Sequence, residues 1–358
     1  MALIGTRHEK YTLQSMAAKL LPKERVARCL RYPTKNAHGV VIEFVPVFAS
    51  AHFANLVTCG SVWHCPICAS KISERRRVEL QPVVDSWPAR GGSVMLLTLT
   101  MRHTKKEPLK HVLAGLTGAT DRLRSGEWWQ NFVKLHGILG LVRSLELTYG
   151  KNGWHPHSHY LIFTSKTVDL HKLLHVIRLR WRHVLSLAGR SASYERGADI
   201  RYVDGFVPSY MTKLGLTIGG DDMIEDKPAS NFWTATHELV KATFKTGHEG
   251  SRSPIELLRD SMAGDGAAAK LWQEYGIVLK GHKHLVYSRG FKKFLGLKDK
   301  KDSELVRESH KNEALTMADF LPHQWQEIVN QGLRGQLLDV ASMGDVGQLQ
   351  AFLSEYNI

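Results

Sequence analysis

The stretch Trp154-His155-Pro156-His157-Ser158-His159-Tyr160-Leu161-Ile162-Phe163 decides how this chain is read. Three histidines alternate with other residues, and an apolar run follows. In a strand, side chains at i, i+2 and i+4 point to one face. His155, His157 and His159 are therefore expected to project together from one side of a sheet. Imidazoles aimed at one point are what a divalent metal needs. A lone histidine on an apolar strand is usually a packed core residue, but three at strand spacing are harder to place that way.

The neighbouring sequence extends the argument. Lys151-Asn152-Gly153 is a hairpin signal. Residues 139–149 read as the preceding strand, which carries Glu146. If the turn closes a hairpin, Glu146 lies on the strand paired with the histidines. Two imidazoles and one carboxylate would leave metal positions open for a substrate oxygen. Residues 93–101 (Ser-Val-Met-Leu-Leu-Thr-Leu-Thr-Met) and 199–203 read as further strands. Helical patterns cover residues 70–84, 108–135 and 169–187. Another helix is expected to start near Val207-Pro208, where proline suits a first turn. Strands joined by a tight turn, with long helices in the connections, give an α+β fold: an antiparallel sheet with helices on one face.

Composition narrows the partners. Lys plus Arg is 48 and Asp plus Glu is 34, a formal charge of +14. That excess points to an anionic partner, most often nucleic acid. The patches expected to meet phosphates are Lys71, Arg75, Arg76 and Arg77, with Arg178, Arg180 and Arg182 on a later helix and Lys292 and Lys293 beyond. Neither a membrane span nor a secretory leader is expected, so a cytoplasmic setting in a bacterium or archaeon is the default.

All four cysteines, Cys29, Cys59, Cys65 and Cys68, lie in the first fifth of the chain. Cys65-Pro66-Ile67-Cys68 has the knuckle spacing of a structural zinc site. Cys59 and Cys29 complete four thiolates, although His52 or His64 could replace Cys29. Four thiolates leave no open position, so the role expected is structural. Farther along, Tyr210 and Lys213 fall one helical turn apart and share a face. A tyrosine hydroxyl can act as nucleophile in phosphoryl transfer, and a nearby lysine can neutralise the phosphate.

Taken in order, these pieces resemble the plasmid rolling-circle replication initiators of the HUH endonuclease superfamily, in the branch with a cysteine-rich N-terminal segment. The resemblance runs through Cys59-Gly60, Cys65-Pro66-Ile67-Cys68 with Arg75-Arg76, Leu97-Thr98-Leu99-Thr100, Glu146-Leu147-Thr148, Gly153 to His159 and Tyr210-Met211-Thr212-Lys213. It continues through Ser253-Pro254-Ile255-Glu256 and Tyr287-Ser288-Arg289-Gly290, and spans roughly residues 25–297. It implies an HUH, ferredoxin-like nuclease core. His157 and His159 would be the metal-binding pair, Glu146 the third ligand, and His155 an adjunct that could join or replace a ligand. Mn²⁺ or Mg²⁺ would sit there, and Zn²⁺ at the cysteines. Tyr210 would attack a phosphate of single-stranded or hairpin origin DNA, assisted by Lys213, leaving a 5′-phosphotyrosyl link and a free 3′-OH primer. A host helicase, a host DNA polymerase and self-association are the further partners implied.

One position departs from the family pattern. A glutamate is expected one turn before the tyrosine, to activate water for terminating cleavage, and Phe206 stands there. Asp204 is the nearest acid. The expected organisation is an N-terminal lead-in (1–24), a zinc-binding segment with its basic helix (25–90), the endonuclease core with a helical extension (91–297), and a charged linker followed by two or three short C-terminal helices (298–358). An HUH transposase or relaxase would share the same site. A non-catalytic zinc-dependent DNA-binding regulator would explain the charge and cysteines, but not the histidines with Glu146.

Overall fold

The computed structural model describes residues 7–203, 250–307 and 314–358, and the fold is α+β with two antiparallel sheets. The smaller sheet has β1 (Val40–Val45) between β2 (Ser50–Ala54) and β8 (Leu315–Phe320). The larger contains β3 (Val94–Leu99), β4 (Ile138–Gly150), β5 (Gly153–Thr164), β6 (Ala198–Tyr202) and β7 (Leu285–Tyr287), in the order β6-β3-β5-β4-β7. The histidine strand β5 is therefore central. Its lower half, Tyr160 to Thr164, is buried on both faces, which is why the alternation gives way there to a continuous apolar run.

The β4–β5 hairpin closes on Lys151 and Asn152, with Gly150 paired to Gly153. Gly153 has φ +87°, and a Cβ there would lie 2.9 Å from the Lys105 Cα. Only glycine satisfies both the turn and that close approach. The register places Glu146 opposite His157, Ser144 opposite His159 and Thr148 opposite His155.

Helices α3 (Leu109–Leu123) and α5 (Leu170–Ser186) form the layer on one face. Leu173, Ile177, Trp181 and Val184 recur every three or four residues along α5 and are buried. Asp169 caps α5, accepting hydrogen bonds from the His171 and Lys172 backbone N–H groups. These helices join Met95, Leu97, Leu99, Leu145, Leu147, Tyr160 and Ile162 in one core. The helix expected over 108–135 is two, α3 and α4 (Gly126–His136). The break falls at Arg124 and Ser125, where Ser125 is extended (φ −127°, ψ 161°), and Gly126 follows with φ +74°, which a helix interior does not adopt.

Among the described residues, the opposite face is covered at one end. There Leu80, Val84 and Trp87 of α2 (Pro66–Ser86), together with Phe291, pack on Val94, Leu96, Val142, Leu161 and Phe163. The Trp87 indole N–H donates to the Thr164 carbonyl at 2.9 Å. The other end of this face carries the histidine row.

The two ends of the chain meet. Residues 315–320, on the border of the stretch read as C-terminal helices, are strand β8, and three helices follow at Pro322–Asn330, Arg334–Ala341 and Val346–Glu355. The middle one, Arg334–Ala341, packs against α1 (Arg7–Leu20). Arg334, almost fully buried, donates to the Leu30 carbonyl at 2.9 Å and to the Ser15 hydroxyl at 2.8 Å. Burial pulls its pKa down to about 10, so it stays charged at neutral pH. Trp325 donates to the Arg31 carbonyl at 3.1 Å.

The cysteine-bearing turn before α2 meets the segment before β7 through Trp63, whose indole N–H donates to the His282 carbonyl at 2.7 Å and whose ring lies edge-on to His284. Burial, and secondarily Arg76, pull the His284 pKa down to about 4. It is therefore neutral in the fold at pH 7, while an unfolded histidine titrates near 6.5. The unfolded chain binds the extra proton between those values, so stability is fully present above about pH 6.5 and is lost as pH falls toward 4. Denaturant unfolding across that window is expected to show a steeper decline in the native chain than in His284→Phe, by up to about 1.4 kcal/mol per pH unit. Parallel declines would contradict this assignment.

Candidate active site and cysteine cluster

The end of the sheet's second face that α2 does not reach holds one row of polar side chains from three strands. Thr98 and Thr100 come from β3 and its continuation, Glu146 from β4, and the histidines from β5. His159 sits deepest, only 3% exposed. Its Nε2 lies 2.7 Å from Glu146 Oε2, and its Nδ1 lies 3.0 Å from the Thr98 hydroxyl. Glu146 is itself buried. His157 is half-buried on the same face, opposite Glu146, with its ring 5.9 Å from that of His159.

His155 faces the same way but has other neighbours. Its Nε2 lies 2.7 Å from the Thr100 hydroxyl, and its ring lies 4.1 Å from His157 and 4.7 Å from His103. Burial, and then the neighbouring His103, lower its pKa to about 4. It is a neutral imidazole at physiological pH. Thr98, Thr100 and His103 escaped assignment from sequence, although the Leu-Thr-Leu-Thr alternation does put both threonines on one face of β3.

The donor types suit a divalent cation. Two imidazoles and a carboxylate share one face, and His159 has on its second nitrogen a hydrogen-bond partner, the Thr98 hydroxyl, that can fix its ring orientation. The ligand atoms are less convergent than those of the cysteines. Among the described residues, Cys29, Cys59, Cys65 and Cys68 are the one group of three or more metal-ligating side chains whose donor atoms all lie within 4.8 Å of one another.

The four thiols are buried, with Sγ–Sγ distances of 3.5 Å (Cys29–Cys68), 3.6 Å (Cys59–Cys68) and 3.7 Å (Cys65–Cys29). A tetrahedral zinc with bonds of about 2.3 Å sets neighbouring sulfurs about 3.8 Å apart. Backbone N–H groups approach the sulfurs: Cys59 to Cys29 at 3.3 Å, Ser61 to Cys59 at 3.4 Å and Cys68 to Cys65 at 3.5 Å. Cys65 caps the N-terminus of α2, where the helix dipole favours a thiolate. Hydrogen bonding from Cys29 and the other two thiols pulls Cys68 well below its ordinary range, whereas burial pushes Cys65 well above it. So tight a set of ionisable sulfurs calls for a cation, and the cluster can hold a metal such as zinc. The two histidines weighed as substitutes for Cys29 lie elsewhere in the bonding pattern. His64 Nε2 is 2.8 Å from the Gly276 carbonyl, and His52 is 2.9 Å from Glu43.

The basic helix α2 divides its cations. Arg76 is buried, and its guanidinium is held by Glu79 at 3.0 Å, Asp302 at 3.1 Å and the Lys300 carbonyl at 2.7 Å. It pins the segment after residue 297 to α2. Arg77 pairs with Glu74 at 2.7 Å. Lys71 and Arg75 are half-buried on the same helix. Tyr210, Lys213 and Asp204 lie outside the described residues.

A helix-backed antiparallel sheet with histidines on its central strand, in a chain that also holds a four-cysteine cluster, agrees with a rolling-circle replication initiator, the class that the family comparison shows. The chain belongs to the replication protein family, whose model matches residues 51–330. It is 26% identical over 317 residues to "Protein rep" of Streptomyces lividans, an alignment covering 73% of this chain and 68% of that protein. It is also 29% identical over 120 residues to "Protein rep" of Lentilactobacillus hilgardii, covering 33% of this chain and 37% of that one. A protein of Streptomyces cyanogenus described as "Neomycin resistance protein" is 30% identical over 135 residues, 31% of either chain. No solved structure matches. No helix among the described residues is long and apolar enough to cross a membrane.

Proposed function

We propose that this replication initiator nicks and rejoins one strand of single-stranded or hairpin DNA at a plasmid origin. The observation that carries the reading is the buried Glu146–His159 pair with His157 beside it on one sheet face. His157, His159 and Glu146 are the residues that would hold Mn²⁺ or Mg²⁺. When bound, such an ion polarises a non-bridging phosphate oxygen. The chain supplies the rest. Thr98 fixes the orientation of His159 through its second nitrogen. Neutral His155, held by Thr100, borders the row without adding charge.

Tyr210 is the nucleophile in this reading. Its oxygen bonds to the scissile phosphorus as the P–O3′ bond breaks, giving a 5′-phosphotyrosyl link and a 3′-OH that primes a host polymerase. Lys213 neutralises the phosphate, and Asp204 is the acid that would activate water in the terminating cleavage. Because the link keeps the phosphodiester energy, the reverse reaction joins strands. Residues 91–297 are the proposed catalytic unit, and residues 25–90 the metal-bearing unit that holds DNA beside it through Lys71, Arg75 and Arg77. A host helicase, and self-association of this chain, complete the proposal.

The test is a labelled single-stranded origin fragment incubated with Mn²⁺ or Mg²⁺ and run on a denaturing gel. A covalent adduct that disappears in Tyr210→Phe supports the reading. An adduct surviving that change would move the nucleophile elsewhere.

A further inference from the structure

Beside the histidine row lies a loop that no part of this mechanism uses. Residues 101–107 read Met-Arg-His-Thr-Lys-Lys-Glu, and the tip of the β4–β5 hairpin adds Lys151. We propose that this loop and the hairpin tip form a clamp for the sugar-phosphate backbone of single-stranded DNA. Arg102, Lys105, Lys106 and Lys151 take phosphates of the strand as it enters the row. The inference rests on the nicking reading and names where that substrate is gripped.

Three observations converge. First, all four cations are exposed, and among the described residues none forms an ion pair with a carboxylate. The loop's own acid, Glu107, is tied to Arg190 and to the Thr104 backbone N–H. Four like charges gathered without a counter-charge repel one another, and an anion relieves that repulsion.

Second, the loop is held rigidly. The Arg102 N–H donates to the Ser191 carbonyl at 2.8 Å, and Glu107 N–H to the Thr104 carbonyl at 3.1 Å. His103 Nδ1–H donates to the Asn152 carbonyl at 2.9 Å, tying the loop to the hairpin. Gly153 lets the Lys105 backbone come close enough for that junction to form. A fixed loop presenting mobile cations loses little entropy when a backbone settles on it.

Third, the clamp is continuous with the site. The His103 ring lies 4.7 Å from His155, and His155 lies 4.1 Å from His157. A strand held at residues 102–106 is thereby delivered along the row toward Glu146 and His159. The contact is to phosphates, so it grips without reading bases.

The test is fluorescence anisotropy of a labelled, mixed-sequence single-stranded oligonucleotide over a salt series, using the full chain. Each phosphate contact on a single strand contributes about 0.7 to the slope of log K against log salt. Lys105→Gln/Lys106→Gln is expected to lower the slope by about 1.4 and to weaken binding about twenty-fold at roughly 0.1 M salt. Lys105→Arg/Lys106→Arg is expected to restore both. The control Lys19→Gln/Lys23→Gln, exposed near α1, is expected to bind as the native chain does. Native slope and affinity in the Lys105→Gln/Lys106→Gln chain would overturn the clamp and leave the nicking reading standing. Absence of any salt-dependent binding by the native chain would overturn both.

Discussion

His157→Ala is expected to lose strand cleavage by about a thousandfold while keeping the fold, whereas His159→Ala is expected to lose both. The difference follows from burial. His157 is half-buried in the middle of the row, between His155 and His159, so its truncation removes one imidazole while the buried Glu146–His159 pair stays intact. A thousandfold loss corresponds to about 4 kcal/mol of barrier, the scale on which one electrostatic partner of a phosphoryl group acts. His159 is wedged between Thr98 and Glu146. Removing it leaves a buried carboxylate without its imidazole, a change that costs roughly 3–5 kcal/mol. Metal-dependent nicking and urea unfolding, measured side by side on both variants, separate the two effects. Native cleavage by His157→Ala would remove His157 from the site.

The second large effect is expected at the cysteines. Cys65→Ser should release the metal and unfold the small sheet with its flanking helices. Structural zinc contributes roughly 10–16 kcal/mol of apparent binding energy to small domains, which is comparable to or larger than the stability of a whole domain. Cys65 has a second role, because its sulfur accepts the Cys68 N–H at the start of α2. The far end of that helix, through Leu80, Val84 and Trp87, covers one end of the face that carries the histidine row. Loss of the cluster should therefore reach the site through α2. Metal content by atomic absorption, with thermal unfolding of Cys65→Ser and of the native chain after chelation, checks this. A metal-free chain that melts as the native one does would contradict it.

The hairpin was legible from sequence because its signals are local. Period-2 alternation set the face of the histidines, and Lys151-Asn152-Gly153 marked the hairpin that pairs their strand with that of Glu146; the register, with Lys151 and Asn152 in the turn, came only from the structure. Helix α5 was legible through its apolar spacing and the Asp169 cap. The small sheet was not. β1 and β2 are strands of six and five residues in turn-rich sequence, and the third partner, β8, comes from the far end of the chain. No local pattern announces a pairing between residue 41 and residue 319. Arg76 shows a related limit: a basic run on a helix reads as one surface, but Asp302 and Lys300 are brought to it only by the tertiary fold. In the candidate site, alternation and the hairpin signal put the histidines and Glu146 on paired strands, as the structure has them. The roles of Thr98 and Thr100 became visible only when their hydroxyls were placed against ring nitrogens.

The central claim is that a tyrosine beside the histidine row cuts one DNA strand and stays attached to it. The most direct measurement is the mass of the peptide covalently bound to a labelled single-stranded origin fragment after reaction with Mn²⁺ and proteolysis. The account predicts a 5′-phosphotyrosyl link at Tyr210, absent from Tyr210→Phe and depleted in His157→Ala. A link mapped to any other residue, or cleavage of the strand with no protein attached at any time, would contradict it.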